Sequence, residues 1–190
     1  MLKLYCADMR QADERRARRK GRSPQRGSAF GVSLLEYAVR DTWGIELPEI
    51  TPPGSGKPKF VNEPEKHFSV SHSKTHVLVA LSDAPVGADL EARREISENS
   101  MRMLMGDTEF KEFDFFELWC LRESVYKLNG AGNLREVLRF RMDGDRILGP
   151  DPDIWYQVVK GVDGCAGAVC QAQEFLMPEL IWVEIEKLCT

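Results

Sequence analysis

The chain of 190 residues lacks the patterns that mark membrane proteins and disulfide-stabilised proteins. No stretch approaches the roughly 18 consecutive apolar residues that a transmembrane helix needs. The five cysteines are odd in number and form neither a C-x-x-C pair nor a zinc-binding pattern. The N-terminal residues show no apolar signal-peptide region followed by a small-residue cleavage site. We therefore expect a reduced protein in the cytoplasm, without a membrane partner.

The short motifs of several large enzyme classes are also missing. The sequence contains no G-x-S-x-G elbow, no P-loop and no G-x-G-x-x-G fingerprint, which removes the usual signals for a serine hydrolase, a P-loop NTPase and a dinucleotide-binding enzyme. It has no fixed-period repeat and no low-complexity region. With 43% hydrophobic and 29% charged residues, the chain has enough apolar material to form a core.

The charge is unevenly distributed along the chain. The formal net charge is −4, yet residues 1–30 contain nine Lys or Arg against three Asp or Glu, and RRARRKGR at 15–22 is the densest basic segment. Such a segment is compatible with nucleic acid, a membrane surface or a polyphosphate ligand, and equally with a solvated helix face. Because the remaining residues are acidic overall, a nucleic-acid partner is disfavoured.

Periodicity predicts an α+β protein whose sheets are mixed or antiparallel. Two helices are expected over 10–42, broken at GRSPQRG, with Ser28 as a cap for the second. Alternating apolar residues predict strands over 67–82, and a turn at 83–85 leads into another strand. A helix-rich stretch over 96–129 precedes further alternating segments, at 137–143, 145–149, 153–160, 165–172 and 180–188. This order suggests two α/β-type halves that meet near residues 83–85.

Two carboxylates share one face of the strand at 86–92. Asp89 and Glu91 are two residues apart, so their side chains project together, about 6–7 Å from each other. Such a pair either lies in water or has a positive partner. Mg²⁺ is one candidate, because it takes oxygen ligands and commonly uses a few carboxylates with substrate phosphates.

A third carboxylate lies on the helix predicted over 115–129. Trp119, Glu123 and Lys127 are four residues apart and form one stripe. The simpler alternative is an exposed Glu–Lys pair, worth only a few tenths of a kcal/mol. We expect Trp119 to anchor the helix on its apolar side, and a carboxylate at the edge of a buried face to have a partner.

A serine and histidine cluster follows the strand that begins at 67. The stretch F-S-V-S-H-S at 68–73 places Ser71, His72 and Ser73 at a strand end. Such groups donate hydrogen bonds to phosphate oxygens. Alternatively, Ser71 and Ser73 bond to their own backbone in local turns.

The order of four motifs resembles the 4′-phosphopantetheinyl transferases. The motifs are G-K-P at 56–58, F-S-V-S-H-S at 68–73, G-A-D-L-E at 87–91 and W-C-L-R-E-S-V-Y-K at 119–127. The likeness covers roughly residues 12–175 and is closer to the surfactin-synthetase-activating type than to the short, trimeric holo-ACP synthase type. It implies two pseudo-symmetric α/β halves in one chain, here 1–84 and 85–190, for which a monomer is sufficient.

The resemblance also implies a reaction and a set of site residues. These enzymes transfer the phosphopantetheine arm of coenzyme A to a serine of an apo carrier protein and release 3′,5′-ADP. Asp89, Glu91 and Glu123 match the acidic positions around Mg²⁺, and Glu123 matches the proposed base. The remaining matches concern phosphates of coenzyme A: Lys127 at the pyrophosphate, His72 at the 3′-phosphate with Ser71 or Ser73 nearby, and Lys57 and Arg26 at further contacts.

One residue departs from the family pattern W-x-x-K-E. This chain has Arg122 before Glu123, and arginine is a planar fork that does not replace lysine conservatively at a phosphate contact. The departure leaves room for a non-catalytic homologue that binds coenzyme A or a carrier protein. A third alternative uses the three carboxylates in a metal-dependent phosphohydrolase with water as the nucleophile.

Overall fold

The structure, a computed structural model, describes residues 1–10, 26–52, 54, 56–130 and 138–188. Within these ranges the chain forms four α-helices, nine strands and a final 3₁₀ helix (Ile185–Leu188), and no helix there is both long and apolar enough to cross a membrane. The α-helices are α1 (Arg26–Trp43), α2 (Glu98–Leu104), α3 (Asp107–Glu112) and α4 (Phe115–Asn129). The strands are β1 (Leu2–Asp8), β2 (His67–His72), β3 (His76–Ser82), β4 (Val86–Ala92), β5 (Arg141–Asp143), β6 (Arg146–Leu148), β7 (Trp155–Val159), β8 (Cys165–Gln171) and β9 (Leu180–Trp182).

The strands form two sheets. The first has the order β2-β3-β1-β9, in which β9 runs parallel to β1 and the other pairs are antiparallel. The second has the order β4-β8-β7-β6-β5 and is antiparallel throughout. The expected α+β class with mixed or antiparallel sheets is confirmed. The chain changes sheets at 83–85, but β9 returns to the first sheet, so the division into pseudo-symmetric halves at residue 84 stays a prediction.

Several expected elements differ in detail from the observed ones. Strand β1 was not predicted, because it is a central strand with Leu4 to Ala7 all buried and therefore lacks an alternating pattern. The segment 180–188 is a strand only to Trp182 and ends in the 3₁₀ helix, and of 137–143 only Arg141–Asp143 is a strand. The first helix expected from residue 10 falls largely outside the described residues.

Three apolar clusters hold the elements together. Helix α1 packs on the first sheet through Phe30, Leu34 and Tyr5, and α4 packs on the second sheet through Leu118 and Leu121. The third cluster joins the sheets, because it combines side chains from β1 and β3 with side chains from β4 and β8. The described residues therefore form one continuous body, in which β4 packs against both sheets.

The position of α4 on β4 depends on a glycine. Asp114 caps the start of α4 by accepting hydrogen bonds from the amides of Phe116 and Glu117, and Gly130 (φ 69°) ends the helix. Where the helix crosses β4, a Cβ atom on Gly87 would lie 2.0 Å from the Ser124 carbonyl oxygen. The glycine of G-A-D-L-E thus allows α4 to approach the strand that carries Asp89.

Candidate active site

Two serines of β2 connect the first sheet to β4. The backbone amide of Ala88 donates to Ser69 Oγ (3.0 Å) and that of Leu90 donates to Ser71 Oγ (3.1 Å). Both serines are buried, so these hydroxyls satisfy edge amides of β4 that water does not reach. The two sheets are therefore joined at this edge by side chains; we call this contact the serine seam (Ser69 and Ser71 with Ala88 and Leu90).

The serine seam also orients Asp89. Ser71 Oγ donates to Asp89 Oδ1 (2.8 Å), and Lys127 Nζ donates to the same oxygen (2.6 Å). The Asp89 side chain is 9% exposed and that of Lys127 is 28% exposed. A buried carboxylate needs such partners to offset its loss of hydration. The structure thus brings together three predicted site residues, Ser71, Asp89 and Lys127, while the contact predicted between Ser71 and coenzyme A stays a prediction.

Glu123 is half-buried beside this ion pair. Burial raises the pKa of its carboxyl group above the usual value, and the charges of Asp89 and Glu91 raise it further, whereas Lys127 lowers it. Glu123 is therefore within electrostatic range of both carboxylates of β4. The three acidic residues predicted from the sequence share one negatively charged region.

The chemistry of this region suits a divalent cation, although the side chains do not form a ready ligand set. Three carboxylates supply oxygen donors of the kind that Mg²⁺ prefers, and Lys127 offsets only part of their charge. Glu91 pairs with Arg94 at the end of β4. Among the described residues, no three His, Cys, Asp or Glu side chains lie close enough together to hold a metal ion.

Lys57 joins the G-K-P loop to β4 and α4. Its Nζ donates to the Val86 carbonyl (2.6 Å) and, at 3.4 Å, to the Leu128 carbonyl near the end of α4. Burial lowers the pKa of Lys57 to about 8. A Cβ atom on Gly130 would lie 2.4 Å from the Cβ of Lys57, so the loop packs tightly on the helix end. The predicted role of Lys57 at a phosphate is not tested by these contacts.

A cavity of about 450 Å³ opens next to the Asp89–Lys127 pair. Its lining combines Lys57 and Lys127 with Phe68, Val70 and Tyr126. Cationic and apolar groups in one cavity suit a ligand that has an anionic part and an apolar chain.

The other predicted phosphate contacts lie around the end of β2 and the start of α1. His72 is exposed at the last position of β2. Ser73 Oγ accepts from the amides of Thr75 (3.2 Å) and His76 (3.0 Å), so Ser73 forms the local turn considered as an alternative. Arg26 begins α1, and its side chain lies outside the described part of the chain, as does the basic segment 15–22. The contacts of His72, Ser73 and Arg26 with coenzyme A stay predictions.

The expectation that Trp119 is a buried anchor was wrong. Trp119 is 38% exposed and stacks on Phe115, with ring centroids 6.3 Å apart. The buried face of α4 instead contains Leu118, Leu121 and Val125, whose spacing of three and four residues forms the apolar stripe. Trp119 is one residue from this stripe, about 100° around the helix, and so points partly into solvent.

Arg122 and Glu109 form a second polar centre, which the sequence did not predict. Arg122 donates to the carbonyls of Leu138 (3.0 Å) and Leu104 (2.7 Å) and to Glu109 Oε2 (3.0 Å). The residue that departs from W-x-x-K-E is thus held by protein groups away from Asp89. Only a weak signal marked Glu109: the spacing G-x-x-E from Gly106 is that of a capping box at the start of α3.

Sequence comparisons with known proteins identify relatives of this chain. No protein-family model matches the chain. The chain is 33% identical over 150 residues to the 4′-phosphopantetheinyl transferase Sfp of Bacillus subtilis (strain 168), and the match covers 70% of this chain and 67% of that relative. The chain belongs to the 4′-phosphopantetheinyl transferase family. The family resemblance drawn from the four motifs is therefore confirmed.

Further members of the 4′-phosphopantetheinyl transferase family match over shorter lengths. The 4′-phosphopantetheinyl transferase psf-1 of Bacillus pumilus is 32% identical over 119 residues, which are 56% of this chain and 51% of the relative. The 4′-phosphopantetheinyl transferase gsp of Aneurinibacillus migulanus is 34% identical over 98 residues, 46% of this chain and 40% of the relative. The chain spans about half the length of these two relatives or less.

Proposed function

We propose that the chain transfers the 4′-phosphopantetheine arm of coenzyme A to a serine of an apo acyl or peptidyl carrier protein. The observation that supports this proposal most directly is the partly buried Asp89–Lys127 ion pair, with Glu123 beside it, in a member of the 4′-phosphopantetheinyl transferase family. We also propose that the protein acts as a monomer in the cytoplasm, without nucleic acid or a membrane as partner.

The proposed reaction is an in-line displacement at phosphorus. The serine hydroxyl oxygen of the carrier bonds to the phosphorus that bears the pantetheine arm, and the bond from that phosphorus to the bridging oxygen breaks. The bridging oxygen leaves with the electron pair as part of 3′,5′-ADP. Glu123 takes the serine proton, and Lys127 donates a hydrogen bond to the departing phosphate. The protein forms no covalent bond with the substrate in this step. It accelerates the reaction by positioning the two substrates and by stabilising the charge that develops on the phosphate oxygens.

The three carboxylates of the site are the proposed ligands of Mg²⁺. Asp89, Glu91 and Glu123 would hold the ion, which would neutralise charge on the pyrophosphate. Ser71 fixes the orientation of Asp89 through its hydroxyl group, and Arg94 restrains Glu91 at the end of β4. Lys127 pairs with Asp89 in the free protein. When coenzyme A binds, the Lys127 ammonium group would also donate to a phosphate oxygen.

The cavity beside Lys127 is the proposed site of coenzyme A. Its apolar wall of Phe68, Val70 and Tyr126 suits the pantetheine chain, and Lys57 and Lys127 supply positive charge for phosphates. Further phosphate contacts are proposed for the residues at the end of β2 and the start of α1, namely Ser71, His72, Ser73 and Arg26.

The test is incubation with coenzyme A, Mg²⁺ and a panel of apo carrier proteins, followed by intact-mass measurement of each carrier. We expect one carrier or more to gain one phosphopantetheine arm, and EDTA to prevent the gain. Glu123→Gln and Asp89→Ala should abolish transfer in folded protein. Glu98→Gln, at an exposed carboxylate of α2, is the matched control and should leave transfer unchanged.

Each other outcome identifies a different function. Binding of coenzyme A without transfer to any carrier would support a non-catalytic homologue. Release of 3′,5′-ADP in the absence of a carrier would support a phosphohydrolase. Near-normal transfer by Glu123→Gln or Asp89→Ala would contradict the assignment of the site.

A further inference from the structure

Arg122 ties the middle of α4 to three segments outside that helix. Its guanidinium donates to the carbonyl of Leu104 at the end of α2, to the carbonyl of Leu138 before β5, and to Glu109 of α3. The Arg122 side chain is only 15% exposed. The guanidinium is a planar fork whose Nε, Nη1 and Nη2 atoms each donate to a different acceptor, whereas the three donors of an ammonium group all lie on one nitrogen atom.

Glu109 gives Arg122 a rigid acceptor. The Glu109 side chain is 2% exposed and accepts from the amides of Gly106 (2.8 Å) and Phe140 (3.0 Å) as well as from Arg139 (2.8 Å). Three donors other than Arg122 therefore fix its carboxylate between the start of α3 and the segment before β5. Because the carboxylate of Glu109 is already held in place, its contact with Arg122 restrains the position of α4.

The opposite side of α4 faces β4 and the proposed catalytic centre. There the helix approaches β4 closely at Gly87, and Lys127 reaches Asp89. Arg122 immediately precedes Glu123, so rotation of α4 that releases Arg122 also moves Glu123. The contacts on the two sides of α4 together determine its rotation about its own axis.

We infer that Arg122 is a positioning residue for the proposed transfer: it fixes the rotation of α4 through Glu109, Leu104 and Leu138, so that Glu123 and Lys127 face Asp89. This inference rests on the proposed function. It explains the arginine in W-x-x-R-E without placing it at a phosphate: the fork serves three acceptors of the fold.

The test compares the steady-state kinetics of Arg122→Gln, Arg122→Lys and wild-type protein on one apo carrier. For Arg122→Gln we expect kcat to fall about 10- to 100-fold, because a misplaced catalytic group loses orientation. The KM for coenzyme A should change less than kcat, because Lys57, Phe68 and Val70 of the proposed coenzyme A site lie outside α4. Arg122→Lys should recover part of kcat. Arg40→Gln, at an exposed arginine of α1, is the control and should match wild type in both constants.

The result that overturns the inference is a folded Arg122→Gln protein whose kcat is within twofold of wild type. If that variant does not fold, Arg122→Lys decides the question, and a wild-type kcat in it overturns the inference. Absence of transfer by the wild-type chain would instead overturn the proposed function. In that case hydrogen exchange of peptides from α4 decides: faster exchange in Arg122→Gln or Arg122→Lys than in Arg40→Gln supports the positioning role, and equal exchange overturns it.

Discussion

Replacement of Glu109 by glutamine should lower the stability of the fold substantially, although the side chain keeps nearly the same shape. Its Oε2 atom accepts from Gly106, Arg122 and Arg139, and its Oε1 accepts from Phe140. In Glu109→Gln the amide oxygen can serve one of these two positions. With the oxygen at the Oε2 position, the new amide nitrogen faces the Phe140 N–H, so two donors oppose each other, and both guanidiniums lose their charged acceptor.

The magnitude follows from the burial of the carboxylate. Hydrogen bonds to charged groups contribute about 1.5–3 kcal/mol each, and breaking a buried ion pair costs about 3–5 kcal/mol. We therefore expect Glu109→Gln to lower the free energy of unfolding by about 3 kcal/mol or more. For a chain of this size, that corresponds to a fall in Tm of about 10 °C.

Urea unfolding followed by circular dichroism, with a thermal scan of the same samples, measures this loss. Glu98→Gln is the matched control, because Glu98 pairs with Arg102 on the surface and both side chains are more than half exposed. The control should change the free energy of unfolding by less than about 0.5 kcal/mol. A loss below about 1 kcal/mol in Glu109→Gln would show that water or rearranged side chains satisfy the four donors, and would refute the reasoning.

Two further predictions concern the junction of β4, α4 and the G-K-P loop. Because burial lowers the folded pKa of Lys57 to about 8 while its unfolded pKa is about 10.4, the unfolded chain binds more protons between these values. Stability should therefore rise from pH 8 to pH 10 relative to Lys57→Met in urea titrations, and parallel curves for the two proteins would contradict this. Gly87→Ala places a Cβ atom 2.0 Å from the Ser124 carbonyl and should lower the free energy of unfolding by about 3 kcal/mol, as overpacking does. The control is Gly144→Ala, whose added Cβ atom meets no other atom within 4 Å. This variant should lower the free energy of unfolding by about 1 kcal/mol, because of its positive φ alone. An equal loss of stability in the two variants would count against the close approach of α4 to β4.

The local elements of the site were predictable from the sequence. The D-x-E alternation identified Asp89 and Glu91 as neighbours on one strand, and the four-residue spacing placed Glu123 and Lys127 on one helix stripe. The ion pair between Lys127 and Asp89 joins residues 38 positions apart. The family resemblance implied that both residues belong to one site, with Asp89 at Mg²⁺ and Lys127 at the phosphates, but it did not predict their direct contact. Periodicity could not predict it either, because it carries no information about which elements meet.

The contacts that fix the site were less predictable, for physical reasons that differ between residues. Arg122 reaches three acceptors on other segments, and a single sequence marks none of them. Ser69 carried no signal and Ser71 was expected at a phosphate or in a local turn, yet both hydroxyls accept hydrogen bonds from the backbone of another sheet. The size of the Trp119 side chain predicts burial, but the position of Trp119 around the helix leaves it 38% exposed.

The serine seam makes the relative placement of the two sheets discrete. Ser69 and Ser71 are two residues apart, as are Ala88 and Leu90, so both hydroxyls find an amide only in alignments that differ by a whole pleat repeat. A slide of one residue would set both serines against residues of β4 whose amides point to β8, and would withdraw the Ser71 donor from Asp89. The serine seam therefore fixes the position of the acidic centre in an all-or-none way. Both hydrogen bonds form in the correct alignment, and both are lost when the sheets shift by one residue.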